Sequence, residues 1–440
     1  MTSEAKVATL RHEPRIYSRD EHTISRRYIS PNALKVLYRL NGAGFRACLV
    51  GGGVRDLLLG REPKDFDIAT DALPEQVREL FRNCRLIGRR FRLAHVRFGP
   101  EIIEVATFRA PHADDDGSAA MSDDGRILRD NVYGDIDDDA WRRDFTINAL
   151  YYDIRDFSVI DYCGGFEDLK RGVLRLIGDP ELRYREDPVR MLRAVRFAVK
   201  LGFNIDAASE RPLTTLGGLL EEISPARLFD ESLKLFHGGC ALQTFEALRH
   251  YDLFRRLFPQ ADAALAHQHA GFPATLVGRA LENTDRRIQE GKSVTPAFLL
   301  AAILWDAVEE QREQLQANGA SEHDAQAMAA DTVISQQVAR LAVPRRFTQV
   351  TREIWALQSR FSKPTPKRAR KLLEHPRFRA AYDFLVLRAA AGEPLAESVD
   401  WWTRVQETDE GGREALLGDL RGTPGSGKPR RRRRRPRRTA

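Results

Sequence analysis

The sequence has few cysteines, and their positions exclude two kinds of site. Four cysteines are spread over 440 residues, at Cys48, Cys84, Cys163 and Cys240. No two of them have the C-x-x-C spacing of a zinc site, and their wide separation argues against a disulfide framework. The pattern is typical of reduced thiols in a cytoplasmic protein.

Long hydrophobic runs are also missing. The longest apolar segment, 297–305, is too short to cross a bilayer. The N-terminus is charged from Glu4 onward and lacks the apolar core of a secretory signal. We therefore expect a cytoplasmic protein that does not enter a membrane.

Acidic residues are absent from the last twenty positions. Residues 421–440 contain ten Lys or Arg, and since the whole chain carries a formal charge of +7, the first 420 residues sum to −3. Because Gly, Pro and Arg supply no core, we expect 411–440 to be disordered. Such a tail favours salt-dependent binding to RNA phosphates, although a nuclear-targeting signal has a similar composition. The candidate RNA-binding residues are Arg430, Arg431, Arg432, Arg433, Arg434 and Arg435.

A glycine-rich segment follows a short apolar run that predicts a strand over 46–50. Gly51 and Gly52 let the backbone turn tightly and expose N–H groups to an anion. Helical spacing over 54–59 places these glycines before a helix N-terminus, which favours phosphate. Arg55 is placed to add a forked positive charge. The segment therefore predicts a triphosphate-binding loop.

Two aspartates follow closely. Asp65 and Asp67 alternate with apolar residues, so both carboxylates are predicted on one face of a strand over 65–70, with stems about 6.6 Å apart. Flexing side chains at that spacing can converge on two ions held about 3.5–4 Å apart. A glycine turn is common and an isolated D-x-D is usually a solvated strand edge. Together and in this order, they predict nucleotidyl transfer from a triphosphate by two Mg²⁺ ions.

The loop and the aspartate pair together resemble a motif of the nucleotidyltransferase superfamily that includes DNA polymerase β. They are similar to the branch that holds bacterial poly(A) polymerases and tRNA CCA-adding enzymes. The resemblance implies an α+β head with a small mixed sheet, followed by an all-α neck and body. It also implies Mg²⁺ as cofactor and ATP as substrate. The similarity runs from about residue 25 to 203, and the helical segment 372–383 is similar too.

The segment 142–150 is similar to a second motif of this family. A helix there would place Asp144 beside Asn148, although the segment alone would equally fit a capped helix start with two solvated arginines. The resemblance implies that Asp144 is the third catalytic carboxylate, with ribose recognition as its alternative role. It also implies that Arg143 and Asn148 contact the nucleotide base or ribose.

The strand predicted over 101–108 carries another acidic candidate. Glu104 competes with Asp144 for the position near the metal ions, because related enzymes have an acidic residue there. A strand glutamate is otherwise usually exposed to solvent. Arg109 is a candidate triphosphate contact on the same resemblance. The choice between Glu104 and Asp144 stays open at this point.

Helix-start signals surround Asp187, an N-cap residue followed by Pro188. Arg190 and Arg193 then lie one turn apart, and guanidinium groups can pair with a base edge or stack on its face. The pattern alone fits an Asp187–Arg190 salt bridge. The segment 185–197 resembles the family element that selects the incoming base, which implies that Asp187, Arg190 and Arg193 bind the base.

The remaining sequence predicts the organisation of the chain. Residues 111–140 are acidic, which is typical of a mobile, solvated loop, and helical patterns dominate after 183. We expect helices from Ser30-Pro31 onward and over 74–81, and a hairpin of strands 93–98 and 101–108. The expected segments are a disordered N-terminus (1–25), a catalytic head (26–175), a helical nucleotide- and RNA-binding neck (176–260), a helical RNA-binding body (261–410) and the tail (411–440).

Two features favour the poly(A) polymerases over the CCA-adding enzymes. The segment 86–96 and the arginine-rich C-terminus both resemble theirs. We therefore expect a monomeric, template-independent adenylyltransferase that extends RNA 3′ ends, with RNA-turnover proteins as candidate partners. The alternatives are a tRNA CCA-adding or A-adding enzyme and, in another class, a non-catalytic RNA-binding protein on the same scaffold.

Overall fold

The computed structural model describes residues 13–88, 92–110, 132–267, 275–362 and 364–419. The described residues divide into two compact units. The first is drawn from the residues up to 224 together with 243–256, and the second from 225–242 and from 257 onward. Within this described part, none of the helices is both long and apolar enough to cross a bilayer.

A mixed β-sheet lies in the first unit. Its strands are β1 (Arg15–Tyr17), β2 (Ala47–Val50), β3 (Asp67–Thr70), β4 (Cys84–Ile87), β5 (Leu93–Phe98), β6 (Glu101–Thr107), β7 (Leu150–Asp153) and β8 (Val159–Asp161). Among the described residues, they are arranged in the order β1-β8-β7-β2-β3-β6-β5-β4. Neighbouring strands are antiparallel except for the parallel pair β3 and β6. A separate short parallel pair joins β9 (Val173–Leu174) to β10 (Asn204–Ile205).

Helices make up most of the rest of the described chain. Those before the division at 225 are α1 (Pro31–Gly42), α2 (Gly52–Leu58), α3 (Pro74–Leu80), α4 (Ile136–Arg142), α5 (Gly165–Arg171), α6 (Pro180–Glu186), α7 (Val189–Leu201) and α8 (Ala207–Leu216). Those after it are α9 (Pro225–Phe236), α10 (Ala241–His250), α11 (Phe254–Leu257), α12 (Pro259–Ala266), α13 (Leu276–Gln289), α14 (Pro296–Ala317), α15 (Glu322–Leu341), α16 (Arg345–Phe361), α17 (Pro366–Leu373), α18 (Phe378–Ala390), α19 (Ala396–Glu407) and α20 (Glu410–Asp419). The predicted fold class, a mixed-sheet head followed by helices, is confirmed.

The apolar content of β2 explains its central position. All four of its residues are buried, as expected for a strand covered on both faces. It pairs with β7 on one side and β3 on the other. The helix predicted near Ser30 is confirmed, because the Ser30 side chain accepts hydrogen bonds from the backbone N–H groups of Asn32 and Ala33. The predicted hairpin is also present, with Phe98 opposite Glu101.

Three segments that were expected to lack regular structure are ordered in part. Within 1–25, β1 pairs with β8, and the buried ring of Tyr17 stacks on Phe166 at 3.8 Å between centroids. Within 411–440, Leu417 of α20 joins the hydrophobic core around Trp402. Within 111–140, the last five residues belong to α4, which begins at Ile136. The expectation was wrong at these places because a few apolar or paired residues suffice to attach a polar segment to a core.

The rest of those segments cannot be compared with the predictions. Residues 1–12, 111–131 and 420–440 lie outside the described residues. The arginine run at Arg430–Arg435 is part of the last of these.

Candidate active site

The glycine loop connects the end of β2 to the start of α2. Gly51 has φ +73° and ψ −138°, a conformation that residues with a side chain rarely adopt. A Cβ atom built on Gly51 would lie 3.8 Å from Asp67 Oδ2 and 3.8 Å from Arg143 Nη1. The backbone of Gly51 therefore lies close to a carboxylate and a guanidinium group at once.

Asp67 occupies the first position of β3, between two other strands. It lies opposite Val50 of β2 and Glu104 of β6. The pKa of Asp67 is raised to about 6, mainly by burial and further by the Glu104 and Asp65 carboxylates, against the opposing charge of Arg143. A divalent cation among these carboxylates would relieve their repulsion, and carboxylate oxygens are ligands that Mg²⁺ prefers. The donor set therefore fits Mg²⁺.

Asp65 lies just outside the strand that was predicted to carry it. β3 begins at Asp67 rather than at residue 65, so strand alternation does not set the direction of the Asp65 side chain. Asp65 is exposed, and its charge acts on Asp67. The predicted strand was two residues too long at its start, because alternation in sequence continues past the last paired residue.

His95 was missed by the sequence reasoning. It lies opposite Glu104 across the β5–β6 hairpin, and its Nε2 atom is 3.2 Å from Glu104 Oε1. The signal was available, because a tight Gly99-Pro100 turn that sets Phe98 opposite Glu101 also sets residue 95 opposite residue 104. The imidazole of His95 is therefore a direct neighbour of the Glu104 carboxylate.

A tighter carboxylate cluster lies at the start of α4. Among the described residues, the groups whose ligand oxygens all lie within 4.8 Å of one another belong to Asp135, Asp137 and Asp138. Asp138 Oδ2 accepts a hydrogen bond from the backbone N–H of Asp135 at 3.3 Å. Acidic groups are stabilising at a helix N-terminus, so we assign this cluster a capping role.

Arg143 is held by two side chains from different elements. Its Nε and Nη2 atoms donate to Asp139 Oδ2 at 3.1 and 2.8 Å, and Nε also donates to the Tyr151 hydroxyl at 3.0 Å. The Tyr151 hydroxyl in turn donates to Asp139 Oδ2 at 2.7 Å. Burial alone would lower the pKa of Arg143, but Asp139 and Tyr151 raise it above its ordinary value. The guanidinium group is therefore held in its charged form.

The segment that was predicted as a helix beside Asp144 is a turn. Helix α4 ends at Arg142, and Thr146–Asn148 forms a single 3₁₀ turn. Asn148 Nδ2 still donates to Asp144 Oδ1 at 3.2 Å, so the two residues are neighbours as expected. The helix was wrong because Phe145 is extended, with its backbone bridged to Leu176.

Asp144 forms an ion pair with Arg193 of α7. Arg193 of α7 donates to Asp144 Oδ2 through Nε at 2.8 Å and Nη2 at 2.5 Å. Burial alone would raise the pKa of Asp144, but Arg193, Asn148 and the backbone N–H of Phe145 lower it to about 2. The carboxylate therefore has its negative charge balanced within the protein.

Arg55 lies in the same network. It is only 3% exposed, and its Nη1 atom donates to Asn148 Oδ1 at 2.8 Å. Its Nε and Nη2 atoms donate to Asp56 Oδ1 at 2.9 and 2.7 Å. The guanidinium groups of Arg55 and Arg193 both lie over the ring of Phe197, at 5.3 and 5.2 Å. A buried polar network thus joins α2, the 3₁₀ turn and α7.

Arg190 does not use Asp187 as the partner that its spacing suggested. Its Nη1 atom donates to Glu186 Oε2 at 2.6 Å and to the Arg183 carbonyl oxygen at 2.8 Å. Asp187 lies between α6 and α7, where its Oδ1 accepts the N–H of Val189 at 3.3 Å. α7 begins at Val189 with Pro188 as its N-cap residue, so the prediction of Asp187 at the N-cap and Pro188 at the first helical position was one residue too early.

The structure brings the predicted residues together in two groups. The first surrounds the glycine loop and consists of Gly51, Asp65, Asp67, Glu104 and Arg143. The second is the network of Arg55, Asn148, Asp144 and Arg193. Gly52 begins α2, with its Cβ position 3.4 Å from Arg55 Nη2. Arg109 follows β6 in a backbone bridge to Tyr133, and its charge lowers the pKa of the nearby Asp139.

Family models match three parts of the chain. They describe a poly A polymerase head domain at residues 47–175, a probable RNA and SrmB-binding site of polymerase A at 202–265, and a polymerase A arginine-rich C-terminus at 318–439. The described site residues from Gly51 to Asn148 lie within the first match.

Curated relatives cover the full length. The chain is 52% identical to poly(A) polymerase I of Escherichia coli O6:H1 over 100% of this chain and 95% of the relative. It is 47% identical to poly(A) polymerase I of Haemophilus influenzae over 93% and 92% of the two chains. A CCA-adding enzyme of Lactobacillus helveticus is 41% identical, but over 49% of this chain and 52% of the relative.

Among solved structures, the Bacillus stearothermophilus CCA-adding enzyme in complex with CTP is similar, with a TM-score of 0.56 and 26% identity. The match covers 91% of this chain and 90% of that one. The resemblance inferred from the motifs is thereby confirmed at the level of sequence and fold. The chain belongs to the bacterial poly(A) polymerase family, within the nucleotidyltransferases that also include the CCA-adding enzymes.

Proposed function

We propose that this chain is a template-independent polynucleotide adenylyltransferase that adds AMP from ATP to RNA 3′ ends and releases diphosphate. The observation that carries the proposal is the position of Asp67, beside the glycine loop and opposite Glu104. A triphosphate bound at Gly51 would therefore lie beside the Asp67 carboxylate, with Glu104 on the neighbouring strand. The full-length match to two poly(A) polymerases supports adenylyl transfer over other nucleotidyl transfers.

Asp65 and Asp67 are the proposed ligands of two Mg²⁺ ions, with Glu104 completing the set. The ions would supply activation of the attacking RNA hydroxyl and neutralisation of the triphosphate charge. We prefer Glu104 to Asp144 as the third carboxylate, because Glu104 raises the pKa of Asp67 whereas Asp144 is paired with Arg193. Asp144 keeps ribose recognition as its proposed role.

The other site residues are proposed to bind or position the nucleotide. The backbone N–H groups of Gly51 and Gly52 are proposed to bind the triphosphate, together with Arg109. The proposed contacts to the base are Asp187, Arg190 and Arg193. Arg55 is buried and hydrogen-bonded to Asn148. We therefore propose that it supports the glycine loop from the protein interior and does not contact the triphosphate. The proposed neck (176–260), body (261–410) and tail (411–440) hold the RNA.

The test is single-nucleotide extension. Purified protein is incubated with Mg²⁺, an unstructured RNA and ATP, CTP, GTP or UTP singly. Long tails with ATP alone are the expected result. CTP incorporation limited to tRNA ends would instead identify a CCA-adding enzyme, and binding without any extension would identify a non-catalytic RNA-binding protein.

The tail is tested by removing residues 420–440. Each phosphate contact on a single strand contributes about −0.7 to the slope of log affinity against log salt. We expect the truncated protein to bind RNA with a shallower salt dependence while kcat on saturating RNA is unchanged. An unchanged slope would contradict an RNA-binding role for Arg430–Arg435.

Cytoplasmic location and a monomeric state are part of the same proposal. The four cysteines are free in the structure, as suits a reducing compartment. Size-exclusion chromatography with light scattering tests the monomer, and pull-down with RNA-turnover proteins before and after RNase treatment tests the partners.

A further inference from the structure

The trio of Asp139, Arg143 and Tyr151 is built to fix a guanidinium group. Asp139 is 6% exposed and Tyr151 is fully buried. Three donors share the single oxygen Asp139 Oδ2: Arg143 Nε, Arg143 Nη2 and the Tyr151 hydroxyl. Asp139 comes from α4 and Tyr151 from β7, so Arg143 is held from two independent elements.

The remaining nitrogen of Arg143 points toward the glycine loop. Nη1 lies 3.8 Å from the Cβ position of Gly51, as does Asp67 Oδ2. Within the described part of the chain, Nη1 has no hydrogen-bond partner, whereas Nε and Nη2 are both used. The arginine therefore presents one unused pair of N–H donors beside the loop and the reactive carboxylate.

We propose that Asp139 and Tyr151 are positioning residues, which hold Arg143 so that Nη1 binds a triphosphate oxygen of the incoming nucleotide above Gly51. This proposal rests on the proposed function, and it assigns Arg143 to the triphosphate rather than to the base or ribose. A flexible arginine would lose side-chain entropy on binding the nucleotide. The trio removes that cost in advance, because the side chain is already ordered.

A purely structural role for the trio predicts different behaviour. A buried ion pair is seldom required for stability when apolar residues can fill the same volume. The trio also leaves Arg143 Nη1 outside the ion pair, close to Gly51 of the glycine loop. The proposal therefore predicts loss of affinity for the triphosphate specifically, which stability alone would not produce.

The experiment measures binding of ATP and of AMP by isothermal titration calorimetry in Mg²⁺, without RNA. Tyr151→Phe removes two hydrogen bonds, the one that the hydroxyl donates to Asp139 and the one that it accepts from Arg143 Nε, and keeps the buried ring. We expect it to weaken ATP binding roughly fivefold to tenfold and to leave AMP binding unchanged. Arg143→Gln should weaken ATP binding further, and Arg143→Lys should restore part of it.

The double variant Tyr151→Phe/Arg143→Gln tests whether the tyrosine acts through the arginine. If it does, the double variant binds ATP as weakly as Arg143→Gln alone. Tyr184→Phe is the matched control, because this buried tyrosine donates to the Ser209 carbonyl oxygen at 2.9 Å and lies outside the trio. It should leave ATP affinity unchanged.

Three outcomes would overturn the proposal. They are equal losses for ATP and AMP, additive effects in the double variant, and unchanged ATP affinity in Tyr151→Phe. Asp139→Asn is a supporting variant only, since it leaves a buried guanidinium group without its anion. Because the assay needs no transfer, a protein that binds ATP in this way and fails to extend RNA would contradict the proposed function and not this inference.

Discussion

Asp67 and Asp144 lie in the same compact unit, yet their surroundings act on their charges in opposite directions. Burial, together with the nearby Glu104 and Asp65 carboxylates, raises the pKa of Asp67 to about 6. Asp144 faces Arg193, and its pKa is lowered to about 2. The surroundings of Asp67 therefore have excess negative charge that a cation can neutralise. The charge of Asp144 is already neutralised by Arg193. The difference favours Asp67 as a carboxylate available to a metal ion and Asp144 as one that stabilises the fold.

The largest expected effect on activity comes from removing the negative charge of Asp67. We expect Asp67→Asn to lower AMP transfer by about a thousandfold or more, because the two proposed Mg²⁺ ions would lose a carboxylate ligand that they share. Without Mg²⁺, its thermal unfolding temperature should be equal to or above that of the unmodified protein, since a repelling charge is removed. Extension assays and calorimetry measure the two quantities. Asp65→Ala should also abolish transfer and leave RNA binding intact.

The second prediction removes the balanced charge at Asp144. Asp144→Asn removes the carboxylate that Arg193 binds through two hydrogen bonds, so we expect the free energy of unfolding to fall by about 2–4 kcal/mol. Urea denaturation at pH 7 measures it. The Mg²⁺ concentration for half-maximal activity should stay unchanged, and a large increase in it would instead make Asp144 the third metal ligand.

A third carboxylate tests whether a raised pKa by itself marks catalysis. Glu309 of α14 lies in the second unit, and burial raises its pKa to about 7 despite Arg312 at 2.8 Å. Within the described residues, its Oε1 atom is buried and has no hydrogen-bond partner. Because the folded-state pKa is above the ordinary value of 4.5, ionisation costs stability as the pH rises through about 7.

We therefore expect Glu309→Gln to stabilise the protein by roughly 1–3 kcal/mol at pH 8. The gain should disappear below about pH 4.5, where Glu309 becomes protonated in the unfolded state as well as in the folded state. Thermal unfolding across this pH range measures it, with EDTA and Mg²⁺ as a further comparison. The gain should be the same with or without Mg²⁺, in contrast to the behaviour of Asp67→Asn.

The smallest expected effect is at Glu104. This side chain is 48% exposed, so solvent screens its charge and we expect little change in stability. Glu104→Gln should raise the Mg²⁺ concentration needed for half-maximal transfer by about tenfold. Magnesium titrations of the extension rate measure the shift. An unchanged titration in Glu104→Gln, together with a shifted one in Asp144→Asn, would reverse our preference between the two carboxylates.

The parts of the site that could be predicted from sequence are local in the chain. The glycine loop and the short strand before it depend on residues within a few positions of one another. The partners of Asp144 and Asp67 could not be predicted, because Arg193 is 49 residues from Asp144 and Glu104 meets Asp67 only through the parallel pairing of β3 with β6. The roles of these residues stay predictions.

The acidic segment 111–140 is a second case in which the sequence alone could not predict the surroundings of a residue. Asp139 looks like its neighbours in sequence, and the composition of the run is typical of a solvated loop. It is buried because α4 directs it toward Arg143 and Tyr151. Composition describes an average over a segment, whereas burial is decided residue by residue by what packs against it.

The family, the fold class, the loop before α2 and the order of the chemical groups along the chain were determined by the sequence itself, since each depends on residue types at short spacing. Only the tertiary structure decided which carboxylates repel one another, which one is neutralised, and which nitrogen of Arg143 lies beside the glycine loop. Charges act through space, and a sheet pairing or an ion pair across dozens of residues sets distances that a linear pattern does not contain.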